Sequence, residues 1–347
     1  MRIIQIVRRF GPVGGLEGYA WQLTRALAAR SLAVAVVCET DESEAIKGVA
    51  VTALGKMRPK PRWLHYLRFA RRVAAQRKMQ SRKNEIWHSH EMVTCAEVGT
   101  FHSTAHGAGE RALHKRLDPT WHVNRWLERR TMAGLALRAM VPVSAPVRAQ
   151  LAAVHPRWAE RLADPIRPGV ELPEPIATRE TGLVMGFIGR EWKRKGLPRV
   201  LEMLRAMPDA RLVIAGVPRE EIARLLVGLE ARVELLGWVN DPNDFYSRIS
   251  LLVHPAKLEA YGMVVAEALA RRIPVLVSEA TGASADMGAA GRALPHTAPV
   301  QPWTAAAREM QAQPPEAFPL TRSWAEVAEE YHLLYQRIYP LTTRYAI

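Results

Sequence analysis

Apolar residues along this chain gather in short runs with few polar members, at 3–7, 33–38, 49–54, 86–88, 98–102 and 139–144, and again at 183–188, 211–216, 233–239, 251–253 and 274–277. Stretches with apolar residues at helical spacing lie between them. A strand covered on both faces shows a continuous apolar run, so each run predicts a buried strand and the whole predicts βα units with parallel sheets. Pro156, Pro165, Pro168, Gly169, Pro173 and Pro175 interrupt the pattern between the two sets of runs, which predicts a linker. At 347 residues the chain can fill two cores. The expected division is a first domain over 1–165 and a second over 166–324. The stripe Trp324, Val327, Tyr331, Leu334 and Tyr335 marks a closing helix, assigned to 325–347.

Charge changes this picture in one place. The formal net charge is +14, and between Glu44 and Glu85 there is no acidic residue while lysines and arginines crowd together. Within that stretch Trp63, Leu64, Leu67, Val73 and Ala74 recur at helical spacing, with Tyr66 and Phe69 as added aromatic surface. A basic amphipathic helix is therefore expected around Arg58 to Lys83. Such a helix suits an anionic membrane face, at about 1 kcal/mol per cation near the surface, or an acidic partner. An ordinary solvated helix face is the alternative. Nucleic acid is not expected, because no helix-turn-helix, zinc or RNP-like motif accompanies the charge. The two cysteines, Cys38 and Cys95, are too few for a disulfide scaffold, and no run of eighteen apolar residues occurs. The first apolar run is broken by Arg8 and Arg9, too early for a signal peptide, so a cytoplasmic protein is expected.

Three stretches carry candidate chemistry. After the first run, Gly14 and Gly15 sit in a loop that leads into a helix, where backbone N–H groups and the helix dipole favour an anion. The loop is not G-x-G-x-x-G, and tight turns need glycine in any case. After the run at 183–188 come Gly189, Arg190, then Lys195 and Gly196 before a helix, which puts two cations and a helix start in one place. The stretch 251–277 reads as strand, loop, helix, strand, with Glu259 in the loop and Glu267 eight positions later inside the helix. Met263, Val264, Val265, Ala266, Ala268 and Leu269 crowd Glu267. A carboxylate in such company needs hydrogen-bond donors, from sugar hydroxyls or from a partner side chain such as an arginine. His88, His90, His102 and His106 fall near the ends of later strands, where parallel sheets bind ligands, yet no metal site is predicted.

Glu259-x7-Glu267, within HPAKLEAYGMVVAEALARRIPVL, resembles the signature of family 4 retaining glycosyltransferases, and most of all the enzymes that add hexoses to bacterial lipopolysaccharide core. The stretch Ile166-Arg167-Pro168-Gly169-Val170 resembles that family's hinge. The resemblance implies a GT-B fold: two Rossmann-like doubly wound domains facing across a cleft, with the C-terminal helix returning to the first. It assigns Arg190 and Lys195 to the donor diphosphate, Glu259 to the sugar hydroxyls and Glu267 to the ribose. Gly262, Met263 and Val264 join the donor site, and backbone near Gly216, Trp238 and Val239 frames the nucleobase. Gly14 and Gly15 approach the diphosphate and shape the acceptor site, and His102 faces the donor sugar. Where relatives carry a Gly-Gly-x-x-Glu-like loop, only Gly282 and Asp286 remain. Implied further are a UDP-sugar or GDP-sugar donor without a metal, and a glycolipid or glycan acceptor at the inner face of the cytoplasmic membrane. A nucleotide-sugar epimerase of the same fold and a non-catalytic basic binding protein are the other readings.

Overall fold

Each apolar run of the first half becomes a strand: β1 (Arg2–Phe10), β2 (Ala33–Asp41), β3 (Ala50–Ala53), β4 (Glu85–Ser89), β5 (Val98–Phe101) and β6 (Ala139–Pro142). They pair in parallel in the order β3-β2-β1-β4-β5-β6. The second half repeats the plan with β7 (Val184–Ile188), β8 (Arg211–Ala215), β9 (Val233–Gly237), β10 (Leu251–His254), β11 (Val275–Ser278) and β12 (Gly291–Leu294). Their order, β12-β11-β10-β7-β8-β9, is the same winding read from the other edge. The edge strand β12 had no counterpart among the apolar runs. Its four residues are all half-buried, so no run was needed to build it.

This computed structural model describes residues 1–80, 84–108, 118–171 and 182–343. Arg82, Lys83, Pro173 and Pro175 lie outside the described residues. The chain forms two units, Met1–Gly169 with Trp324–Ile347, and Val170–Ser323, so the break falls inside the Ile166 to Val170 stretch. In both units the winding direction reverses between two neighbouring strands, β1 with β4 and β7 with β10. Their diverging connections leave a crevice outside the strand C-termini, which is where doubly wound sheets bind ligands.

The second unit's core joins Phe187, Leu201, Leu204, Leu212 and Trp303, all fully buried or nearly so. Full burial of one such side chain stabilises by about 1.5–3 kcal/mol. In the first unit the helix Gly15–Ala29 is capped at Gly14, so Gly15 opens the helix instead of lying in the loop before it. The C-terminal helix Trp324–Thr343 buries Val327, Tyr331, Leu334 and Tyr335 as its stripe predicts, and it belongs to the first unit.

The basic helix spans Arg62–Gln80, but its packed face differs from the expected one. His65, Phe69, Ala70, Val73 and Gln76 are buried, while Trp63 is 41% exposed. Phe69 therefore belongs to the core with Val73, Val37 and Trp87, not to an outer aromatic surface. Periodicity failed here because the stripe contains polar members. His65 is accommodated because its Nε2 lies 2.7 Å from Glu39 Oε2, and Glu39 also accepts from the Met57 amide at 2.8 Å. Lys56, Arg58, Lys60, Arg62, Arg71 and Lys78 remain on the exposed side. We expect Phe69→Ala to cost about 3–5 kcal/mol in chemical denaturation and Trp63→Ala to stay within about 0.5 kcal/mol. Equal losses would contradict this register.

Candidate functional site

The loops after β7 and β10 meet because their strands are neighbours. Gly189 follows β7 with φ 142°, and a Cβ there would stand 2.4 Å from Lys195 Cδ, so glycine lets the lysine stem fold over the strand end. The single turn Trp192–Lys195 then stops at Gly196, which is left-handed with φ 88°. A Cβ on Gly196 would sit 2.2 Å from the Pro255 carbonyl oxygen, so this position needs glycine for both conformation and space. Across the same seam the Lys257 amide donates to the Arg194 carbonyl at 2.9 Å, and the Arg194 guanidinium donates to the Leu258 carbonyl.

The seam delivers Glu259 to a cationic corner. Its Oε2 lies 3.1 Å from Lys195 Nζ, 3.5 Å from Arg194 Nη1 and 3.5 Å from His254 Nε2. On its other side Glu259 is tied to the segment after β11: its amide donates to the Ala280 carbonyl at 3.1 Å, and its carbonyl accepts from the Gly282 amide at 3.1 Å. Burial alone would raise the Glu259 carboxyl. His254, Lys195 and Arg194 outweigh that and hold it down to about 2. His254 is itself lowered, first by burial and then by the two cations, so it is neutral near pH 7. Arg190 stands exposed at the end of β7.

Gly262, left-handed at φ 97°, caps the helix Met263–Ala270. Glu267 lies inside that helix, half-buried, and accepts from the Tyr246 hydroxyl at 2.7 Å. Tyr246 is fully buried, and burial together with the Glu267 charge pushes its hydroxyl well above the ordinary phenol range. The Arg271 guanidinium lies over the Tyr246 ring at 4.7 Å and donates to the Glu267 main-chain carbonyl at 3.1 Å. Gly216 follows β8 and donates its amide to the Gly237 carbonyl at 2.6 Å, and beyond Gly237 the chain runs into exposed Trp238 and half-buried Val239. Arg190, Lys195, Gly216, Trp238, Val239, Glu259, Gly262, Met263, Val264 and Glu267 thus all lie after strand C-termini of the second sheet or on the helix that follows. Arg194 and His254 were not singled out as site residues. Arg194 adjoins a predicted cation, and His254 directly follows an apolar run, which are the signals that could have found them.

The remaining predicted residues sit in the first unit. Gly14 caps the helix after β1, with Gly15 opening it, and His102 follows β5. The four histidines do not form one cluster. His90 Nδ1 lies 2.9 Å from His102 Nε2, and the His88 and His90 rings stand 4.6 Å apart, since alternate positions on a strand share a face. His106 is elsewhere, 3.1 Å from a Glu128 that also holds His155 at 2.6 Å.

The Glu259 carboxyl lies below its ordinary 4.5, so its stabilising effect is complete above about pH 4.5 and is lost as pH falls toward about 2. Glu259→Gln is expected to flatten stability over that acid window and to cost about 1–3 kcal/mol at pH 7 by leaving partly buried cations uncompensated. An unchanged denaturation midpoint at pH 7 would contradict the ion-pair geometry.

Residues 13–172 match the model described as Glycosyltransferase Family 4, and residues 182–312 match that of Glycosyl transferases group 1. Over 104 residues the chain is 33% identical to the lipopolysaccharide glucosyltransferase WaaG of Escherichia coli K12, a stretch covering 27% of this chain and 28% of that protein. Over 109 residues it is 30% identical to the capsular polysaccharide biosynthesis glycosyltransferase CapM of Staphylococcus aureus, covering 29% of each. The matched stretches therefore span less than a third of these relatives' length. In fold the chain is similar to the crystal structure of WaaG, with a TM-score of 0.76, 19% identity, and 95% and 94% of the two chains covered. It is also similar to Anabaena HepE in complex with UDP-glucose, with a TM-score of 0.70, 16% identity, and 99% and 100% covered. These two models together match most of the chain, and with two Rossmann-like sheets of one winding they place it in the family 4 glycosyltransferases of the GT-B fold.

Proposed function

We propose that this protein transfers a hexosyl group from a nucleotide sugar, a UDP-sugar by preference, to a hydroxyl of a membrane-associated glycan or glycolipid such as lipopolysaccharide core, with retention at the anomeric carbon. The observation that carries the reading is the convergence of Lys195, Arg194 and Glu259 where β7 and β10 adjoin, with exposed Arg190 on the same loop after β7. WaaG and CapM, both named as glycosyltransferases of bacterial surface polysaccharides, and HepE with UDP-glucose support the substrate classes.

In the transfer the bond from the anomeric carbon to the donor phosphate oxygen breaks, and a bond to the acceptor oxygen forms on the same face of the sugar. The departing phosphate takes the acceptor proton, so no base or nucleophile from the protein is required. Negative charge grows on that phosphate while the ring becomes oxocarbenium-like. Arg190 and Lys195 would meet that charge as preorganised donors, a role typically worth about 3–4 kcal/mol per donor. They would do so without a divalent metal, and the sequence contains no Asp-x-Asp motif. Glu259, ionised down to about pH 2, accepts hydrogen bonds from sugar hydroxyls. Glu267 accepts from the ribose, Gly262, Met263 and Val264 lie against the donor, and Gly216, Trp238 and Val239 frame the base. On the first unit, Gly14 and Gly15 shape the acceptor site and His102 contacts the sugar.

The exposed basic side of the helix Arg62–Gln80, with Trp63 at its start, supports docking on an anionic membrane surface. No helix among the described residues is long and apolar enough to cross a membrane.

Lys195→Ala is expected to lower turnover of the accepted nucleotide sugar at least a hundredfold without loss of fold, with donors found by thermal-shift screening. Near-normal turnover would rule out Lys195 as the donor that meets the leaving phosphate. In flotation assays the protein is expected to rise with vesicles containing anionic lipid and to stay behind with zwitterionic ones. Indifference to lipid charge would refute the membrane docking.

A further inference from the structure

The first unit holds a chain of buried polar groups that ends at half-buried His102, the one member the proposed transfer uses. Gln5, in β1, is fully buried, and its amide faces two side chains. Its Oε1 lies 2.8 Å from His90 Nε2, and its Nε2 lies 3.3 Å from the Tyr335 hydroxyl. His90 continues one branch through Nδ1, which is 2.9 Å from His102 Nε2. The other branch runs from Tyr335 to His88 Nδ1 at 2.7 Å, from His88 Nε2 to Thr100 Oγ1 at 2.7 Å, then to Tyr331 at 2.6 Å and Tyr19 at 3.1 Å.

Hydrogen accounting couples the two branches. A neutral imidazole carries one N–H and a hydroxyl one O–H, while an amide oxygen only accepts. The Gln5 oxygen therefore takes the hydrogen of His90 Nε2, which leaves His90 Nδ1 bare. His102 must then donate from Nε2, and its own Nδ1 is the unprotonated nitrogen. On the other branch Gln5 donates to Tyr335, Tyr335 to His88 Nδ1, His88 Nε2 to Thr100, Thr100 to Tyr331, and Tyr331 to Tyr19. Each of these bonds receives one hydrogen. Turning the Gln5 amide over would reverse them all and leave His102 with its proton on Nδ1. Protonation does not disturb the count near neutral pH, because burial holds His88 and His102 down to about 3 and His90 well below the ordinary histidine range.

We propose that Gln5 and His90 are positioning residues that fix His102 as the tautomer protonated on Nε2, so that it presents Nδ1 as an acceptor for a hydroxyl hydrogen of the donor sugar. This rests on the reading of His102 as a donor-sugar contact. The tautomer itself does not, since the orientation of the Gln5 amide in the unliganded protein, oxygen toward His90 and nitrogen toward Tyr335, sets it. His102 is half-buried, with the Tyr19 ring edge-on at 4.6 Å, which restrains the plane in which Nδ1 is offered.

The test is a long-range proton–nitrogen correlation spectrum of the full chain labelled with nitrogen-15 histidine, assigned with His102→Phe. Expected is a protonated Nε2 and a bare Nδ1 on His102 in the unsubstituted protein. In Gln5→Leu both tautomers of His102 are expected, with kcat for UDP release from UDP-glucose reduced about tenfold and KM little changed. Gln5→Glu, whose carboxylate still accepts from His90, is expected to keep the tautomer. A His102 protonated on Nδ1 in the unsubstituted protein overturns the proposal whether or not the leucine variant folds. So does a Gln5→Leu spectrum identical to the parent. His102→Phe releasing UDP at the parent rate overturns the sugar contact alone, so the two failures are told apart.

Discussion

The ion pair between Lys195 and Glu259, 3.1 Å apart, is the interaction around which the loops after β7 and β10 are arranged. It joins the ends of β7 and β10, two strands far apart in the chain that the reversal of winding makes neighbours. Each partner is mostly buried, and a charge taken out of water needs an opposite charge close by. That need constrains the backbone. Gly196 must be glycine to bring the β7 loop against the Pro255 carbonyl, and Gly189 must be glycine to let the Lys195 stem cross it. The resulting corner sets Lys195 and Arg194 against Glu259, with exposed Glu191 also paired to Arg194 at 2.6 Å, so its donors are held in place by carboxylates before any ligand arrives. A diphosphate arriving there would meet donors already in place instead of recruiting them from solvent.

Much of this was legible in the chain because it rests on patterns that survive projection onto one dimension. Parallel strands buried on both faces leave apolar runs, and eleven of them marked strands that the structure contains. Glu259 and Glu267 announced a loop and a helix because the apolar residues around the second were too dense for a solvated face. The failures share a cause. The packed face of the helix Arg62–Gln80 includes His65 and Gln76, and the first is buried because Glu39, from a different strand, meets its ring. A polar residue whose partner is distant in sequence reads as surface. Arg194 escaped for a related reason: its value lies in reaching the Leu258 carbonyl across the seam.

The same limit explains what could and could not be read from the C-terminal helix. Its stripe of Val327, Tyr331, Leu334 and Tyr335 announces a buried face, and any apolar surface of the right shape would satisfy it. The hydroxyls of Tyr331 and Tyr335 are more exacting. Both are fully buried, so each needs a partner, and those partners are Thr100 and Tyr19 for one and His88 and Gln5 for the other. A slip of one turn along the helix would keep much of the hydrophobic contact yet strand several buried polar groups, at about 1–3 kcal/mol each. Apolar burial therefore makes the helix adhere, and the polar network decides where. That network also includes His102, so the register of a distant helix and the orientation of a candidate sugar contact are set by one set of hydrogen bonds. A satisfied polar network at this position is thus both the address of the helix and the scaffold of the ring it surrounds.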